Sequence, residues 1–415
     1  MKVLQINNLY QNGSTGKITY DIHSELLKRG IESVVCYGRG KKINEPHVYK
    51  TCGELYSKIN HFLACLTGLM YGGCFFSTNK LIRIIKNEKP DVVHLQCLNG
   101  YFVNIYRLVS WLKKQKIKTV LTLHAEFMYT ANCGHALECM KWKTGCGKCP
   151  RRKRETGSLL LDATHKSWRK MKKAFDGFDN DLIIASVSPW LMERAKLSPI
   201  LMDKRHEVVL NGVNTDEFYY YGEDAANGLK RELGIPIDKK VVFHATPDFN
   251  NDKTHIKGGY YVLKLAEQME RENVIFVVAG NYQKDLTVAE NVLLLGKVID
   301  QKRLAELYSM ADVTVLTSKK ETFSMVTAES LCCGTPVVGF KAGAPEQIAI
   351  EEYSEFVDYG DIEALYAAAG ETLNRKISKQ EIALTAQEKY LKNTMTDNYL
   401  KLYEEINEAK KVCTI

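Results

Sequence analysis

Two carboxylates eight residues apart, Glu321 and Glu329, lie within VTVLTSKKETFSMVTAESLCCGTPVVGF at 313–340. Val313–Leu316 reads as a buried strand and Lys319, Lys320 and Glu321 as a charged loop. A helix should follow, with Thr322 as N-cap and an end near Cys333. Gly334 supplies the stop and Pro336 blocks continuation. One carboxylate then sits at the carboxyl end of a parallel strand and the other two turns into a helix whose free N–H groups favour phosphate. The chemistry suits a phosphorylated, hydroxyl-rich ligand, although two acids near a helix start can equally be solvated or dipole-stabilising. Lys257-Gly258-Gly259 would let backbone and ammonium approach a diphosphate together; a solvated turn is the alternative. His124 ends a strand, either as a catalytic group or as a structural hydrogen-bonder. Cys133, Cys139, Cys146 and Cys149 fall in CGHALECMKWKTGCGKC, with His135 beside them. They could close a tetrahedral structural zinc site or be free or disulfide-capable thiols, and four closed ligands would leave no position for catalysis.

Two series of alternating strands and helices must position these groups. The first has strands at Val3–Ile6, Ile31–Tyr37, Asp91–Leu95, Thr119–His124, Leu182–Val187 and Val208–Leu210. Its opening loop holds NGSTG before a helix from about Thr15 to Arg29, and an amphipathic segment spans Val103–Lys114. The second has strands at Val241–Ala245, Val274–Ala279, Val292–Leu295, Val313–Leu316 and Pro336–Phe340. This is an α/β chain of two doubly wound Rossmann-like domains facing an interdomain cleft, with C-terminal helices. The domains are expected at 1–205, with a cysteine-rich insert at 130–150, and at 206–375. The segment 376–415 should pack back across them.

With 415 residues, 45% of them hydrophobic, and a formal charge of +8, the chain is an ordinary globular protein that favours anionic partners. MKVLQINNLY is a polar-alternating strand start rather than a secretory leader, and HFLACLTGLMYGGCFF at 61–76 is too short to span a bilayer. Twelve cysteines without an export signal imply a reducing, cytoplasmic setting. HKSWRKMKKAFDGF mixes Lys166, Arg169, Lys170, Lys172 and Lys173 with Trp168, Phe175 and Phe178. It could lie on an anionic membrane at the inner face of the cell membrane, or be a solvated helix.

ETFSMVTAESLCCGTPVV resembles the E-x7-E signature of the family 4 retaining glycosyltransferases, which have the two-domain GT-B fold. The similarity covers nearly the whole chain: GSTGKITYDIHSELLKRG resembles the family's first loop and helix, NGVNTDEF its interdomain segment and KAGAPEQI its Gly-Pro-Glu loop. TLHAEFMYTANCGHALECMKWKTGCGKCP is similar to a branch that builds bacterial surface polysaccharides, in which a His-Asp precedes a cysteine-rich insert. The resemblance implies a retaining, metal-independent transferase of the hexosyltransferase type. It would move sugar from a nucleotide-sugar donor to a lipid-linked or polysaccharide acceptor in capsule, exopolysaccharide or O-antigen synthesis. An epimerase or hydrolase of nucleotide sugars on the same fold is the alternative, and no nucleic-acid partner is expected.

It further implies that Glu321 contacts the transferred sugar, Glu329 the ribose, and Lys257 the diphosphate, helped by amides around Ser324 and Met325. Gly13 and Gly16 would let the first loop near the phosphates, His124 would touch the sugar, and Lys297 and Val298 would border the base. Two positions differ from the family pattern. Ala125 follows His124 where the branch has Asp, with Glu126 next, and no Arg lies between Phe243 and Lys257, leaving Lys253 as the second cation.

Overall fold

Parallel strands buried on both faces are near-continuous runs of Val, Ile and Leu, and this sequence supplies two sets of them. The computed structural model describes residues 1–408 and divides into two units, Met1–Leu210 joined by 395–408, and Asn211–Thr394. Residues 409–415, part of the expected C-terminal helical segment, lie outside the described residues.

The first unit holds a parallel sheet of β1 (Lys2–Asn7), β2 (Glu32–Tyr37), β3 (Val48–Lys50), β4 (Val92–Leu95), β5 (Lys118–Leu123), β6 (Leu182–Ser186) and β7 (Arg205–Val208), in the order β3-β2-β1-β4-β5-β6-β7. The second holds β8 (Lys240–Phe249), β9 (Val274–Tyr282), β10 (Val292–Gly296), β11 (Val313–Leu316), β12 (Val337–Phe340) and β13 (Ser354–Val357), in the order β10-β9-β8-β11-β12-β13. Each order reverses beside its first strand, at β1/β4 and at β8/β11. Loops leave such a switch point in opposite directions and open a crevice at the carboxyl ends, where α/β proteins bind ligands.

Several boundaries differ from the sequence reading. β3 and β13 are short edge strands, VYK and SEFV, with too few apolar residues to signal themselves. β7 lies at Arg205–Val208, before the expected 208–210, because RHEV gains strand geometry only by pairing with β6. The first helix runs Gly13–Lys28, starting earlier because the Asn12 side chain accepts a hydrogen bond from Gly13 N–H. The C-terminal segment forms two helices, Lys379–Tyr390 and Lys392–Glu408. The second belongs to the first unit: Met395, Tyr399, Leu402, Tyr403 and Ile406 share a core with Val3, Val92, Val120 and Ile183.

Candidate functional site

In the second unit, the loop after β8 is pressed onto the end of β11. A Cβ on Gly258, whose φ is +70°, would lie 2.0 Å from the Thr317 carbonyl oxygen, and one on Gly259 would lie 2.6 Å from that of Asn250. Only glycines fit there. Lys319 N–H donates to the Ile256 carbonyl at 2.8 Å, completing the join. The result places the Lys257 ammonium 2.6 Å from Glu321 Oε1, with side chains 29% and 16% exposed. The glycine pair is therefore a packing requirement that delivers a cation to a carboxylate across the switch point.

Glu321 is fixed from the other side by the loop after β12. Its N–H donates to the Ala342 carbonyl at 3.0 Å, its carbonyl accepts from Ala344 N–H at 3.3 Å, and it bridges Gly343 in parallel register. Glu346 holds that loop through the N–H groups of Ala342 and Gly343 at 2.9–3.0 Å. The helix that follows begins at Met325. Its N-cap is Ser324 and not the expected Thr322, because the Ser324 hydroxyl accepts from Thr327 N–H at 3.2 Å. Ser324 has φ of +81°, a strained value for a residue with a Cβ. That turn leaves the first amides of the Met325–Cys332 helix, with their positive dipole end, at the carboxyl edge of β11.

Glu329 lies on the same helix and lines a cavity of about 320 Å³ with Thr246, Asn281, Lys297, Val298 and Tyr308. The Tyr308 hydroxyl approaches its carboxylate at 3.4 Å. The Lys253 ammonium rests over the Tyr260 ring at 5.8 Å. His244, buried between β8 and β11, donates from Nδ1 to the Val315 carbonyl at 2.9 Å, and burial pushes its pKa down to about 4. A larger cavity, about 700 Å³, is lined by Lys240, Asp312, Pro336 and Lys379 at the amino-terminal strand edges. It opens at the wrong end of the sheet for a switch-point ligand.

In the first unit, Gly13 and Gly16 lie in the opening turn of the first helix, and a Cβ on Gly16 would sit 3.3 Å from the Leu9 backbone. His124 follows β5, and its Nε2 is 2.7 Å from Gln96 Oε1. Because the Gln96 amide donates to Gln5 Oε1, its oxygen faces His124, which therefore carries its proton on Nε2. Desolvation lowers His124 to about 4, so the ring is neutral near pH 7.

Behind it lies a chain of buried groups. Gln96 and Tyr403 both approach His94 Nδ1, at 3.3 and 2.6 Å, while His94 Nε2 meets Thr122 at 2.7 Å and Thr122 donates to Tyr399. Gln5, His94, Gln96 and Tyr403 escape a motif search, since polar residues inside strands and a distant helix have no shared spacing.

The model of the family described as Glycosyltransferase Family 4 matches residues 15–217, and that described as Glycosyl transferases group 1 matches 248–375. The chain is 22% identical, over 98% of its length and 100% of the relative's, to WcaC of Escherichia coli K12, named as a colanic acid biosynthesis glycosyl transferase. The chain belongs to glycosyltransferase family 4. Solved structures agree on the fold. Sucrose-phosphate synthase of Thermosynechococcus elongatus superposes with a TM-score of 0.65 at 16% identity, covering 99% of this chain and 100% of that one. HepE of Anabaena in complex with UDP gives 0.64 at 14% identity, covering 98% and 100%. The two Rossmann-like units of this glycosyltransferase therefore carry the GT-B fold.

The position after His124 contributes no carboxylate to this glycosyltransferase's site. Ala125 is apolar, and Glu126 is wholly buried, where it binds Arg194 Nε at 2.7 Å and Ala136 N–H at 2.6 Å. That pair anchors the cysteine-rich insert, together with buried Trp142, on whose ring the Arg194 guanidinium stacks at 5.2 Å. Cys133, Cys139, Cys146 and Cys149 form no disulfide there. Burial, with the neighbouring Cys139 and Cys149, pushes Cys146 up to about 12. Among the described residues no three His, Cys, Asp or Glu side chains converge to hold a metal ion.

Proposed function

We propose that this glycosyltransferase transfers a sugar, with retention, from a nucleotide-sugar donor to a lipid-linked or polysaccharide acceptor in bacterial surface-glycan synthesis. The observation that carries this reading is the Lys257–Glu321 ion pair at the β8/β11 switch point, beside the Ser324-capped helix start and the Glu329 cavity. The named relative in colanic acid biosynthesis supports the acceptor class, and HepE in complexes with UDP and with UDP-glucose supports the donor class.

Breaking the anomeric bond leaves positive charge on the sugar and negative charge on the departing diphosphate. Lys257 and the amides at Ser324 and Met325 oppose the second charge, so the step needs no dedicated divalent ion. A partly exposed ion pair is worth little net energy, and an arriving diphosphate can take Lys257 from Glu321 at small cost. Glu321, released, accepts hydrogen bonds from sugar hydroxyls. Glu329 receives the ribose hydroxyls, while Lys297 and Val298 flank the base. The acceptor attacks the face that the diphosphate leaves, and a phosphate oxygen takes its proton. His124, neutral with its proton held by Gln96, acts as a positioning contact for the sugar rather than as an acid. Gly13 and Gly16 allow the first loop to approach the phosphates, and Lys253 adds a second, outer cation. The cysteine cluster is proposed as a structural closure of the insert; zinc content near zero in protein purified without added metal would remove zinc from that role.

A panel of nucleotide sugars should show one that raises the melting temperature and is consumed only with acceptor present. Turnover should persist in excess chelator. Free sugar released without acceptor would replace transfer with hydrolysis, and normal turnover in Glu321→Ala would sink the site.

A further inference from the structure

The helix Glu54–Thr67 is built inside out. A surface helix normally turns its large apolar residues to the core. Here Ser57, Asn60 and Ala64 are the buried ones, while Leu55, Ile59, Phe62, Leu63 and Leu66 face outward along one stripe. The orientation is fixed by specific bonds. Ser57 Oγ donates to the Gly100 carbonyl at 2.9 Å, and Asn60 Oδ1 accepts from Cys74 N–H at 2.7 Å. Rotating the helix to hide its leucines would break both.

Two more elements extend this face. Phe75 and Phe76 open the next helix, Phe75–Glu88, and the Phe76 ring lies 6.1 Å from that of Tyr56. Leu159, Leu160 and Leu161 form a loop against the other end of the stripe: a Cβ on Gly68 would lie 2.5 Å from the Leu161 carbonyl oxygen. The Arg152 guanidinium gathers the carbonyls of Ser158, Leu159 and Leu160 at 2.6–3.2 Å, turning that backbone inward and the leucines out. Phe76 is 78% exposed and Leu160 82%. Contiguous apolar surface of this kind marks an interaction site.

Charge identifies the partner. The leucine loop runs directly into the helix Thr164–Phe175, which has no acidic residue and exposes Lys166, Arg169, Lys170, Lys172 and Lys173. Its aromatic residues Trp168 and Phe175, and Phe178 just beyond, are buried, so that helix presents cations alone. Acids near the stripe are engaged: Glu54 with Arg39 and Gly40 N–H, Asp162 with Cys149 N–H and Thr164. No helix among the described residues is long and apolar enough to cross a membrane. We infer that the first unit docks on an anionic lipid surface, with the Leu55–Leu66 stripe, Phe75–Phe76 and Leu159–Leu161 entering the acyl boundary and the Thr164–Phe175 helix on the headgroups. This stands independently of the donor chemistry.

The test is sedimentation of the full chain with vesicles of equal parts phosphatidylglycerol and phosphatidylcholine, against phosphatidylcholine alone. The chain should bind the mixed vesicles, less at high salt. Phe62→Ser/Phe76→Ser/Leu160→Ser should weaken binding roughly tenfold or more with an unchanged melting temperature. Lys166→Glu/Arg169→Glu should abolish the preference for anionic lipid. Failure to bind mixed vesicles, or unaltered binding by the triple variant, would overturn the inference. So would a vesicle-free dimer that the triple substitution dissociates, since the face would then belong to a second copy.

Discussion

The first six strands of one unit and the six of the other share one order, and the two units use it differently. In the second, the polar groups at the switch point come from loops adjacent in sequence to the strands that carry them. Lys257 follows β8, Glu321 follows β11, and tight glycine packing brings them together. In the first, the strand-end group His124 is held by buried side chains from β1, β4 and β5 and by Tyr403 from the far end of the chain. A site assembled from neighbouring loops can be read from motifs. A site braced by a buried network depends on partners that sequence distance conceals.

The comparison can be broken first at its strongest point. Glu321→Ala should lower turnover by about a hundredfold or more while the melting temperature hardly moves, because the bonds that fix its loop run through backbone that the substitution keeps. A large loss of stability instead would make the second site as structurally entangled as the first. Gly258→Ala tests how that site is assembled. With φ of +70° and backbone 2.0 Å from the new methyl, it should cost about 3 kcal/mol or more in denaturant unfolding and weaken donor binding.

Acid sharpens what the units have in common. His124 in one and His244 in the other have folded pKa values lowered from 6.5 to about 4, and His94 is also well below its ordinary value. Below pH 6.5 the unfolded chain binds protons at these rings and the folded chain does not. Stability should therefore fall as pH drops from 6.5 to 4, by up to about 3 kcal/mol for each of His124 and His244, with His94 adding to the loss in the same direction. Denaturant midpoints measured across that window check it; a flat profile would deny that the rings are buried neutral.

Tyr403→Phe separates the units again. Removing the hydroxyl that meets His94 should cost about 1–2 kcal/mol, seen in unfolding, with nucleotide binding to the second unit retained. The smallest effect belongs to Lys253→Ala. Its ammonium already sits on the Tyr260 ring, so apparent donor affinity should change by no more than about threefold. A loss as large as that of Lys257→Ala would bring it into the inner site.

Much of this was legible beforehand where the signal is local. Val313–Leu316 is a strand with the bounds its composition predicts, and Gly334 and Pro336 stop the helix where expected. The misplaced cap shows the limit. Thr322 and Ser324 are both good N-caps, and the choice fell to Ser324 because the loop after β12 pins Glu321 and pulls the chain through a positive φ. The lysine-rich helix that carries Trp168 looked amphipathic toward a membrane, but its aromatic side is core. The apolar stretch at 61–76 is too short to span a bilayer, and only the structure shows that the large apolar residues of the Glu54–Thr67 helix turn outward.

Periodicity and turn chemistry were enough to determine two parallel α/β units and the stretch around Glu321 and Glu329, since hydrogen-bond geometry and residue period act over a few residues. Tertiary structure alone decided that Lys257 pairs with Glu321, that Glu126 is diverted to Arg194, that Tyr403 supports His94, and which face of the Glu54–Thr67 helix meets solvent. Each of those depends on burial and on polar partners tens to hundreds of residues away, and a one-dimensional pattern carries no record of either. The pair Glu321 and Glu329 thus keeps the place its spacing suggested, within a site whose closing contact comes from the glycine turn at 258 and 259.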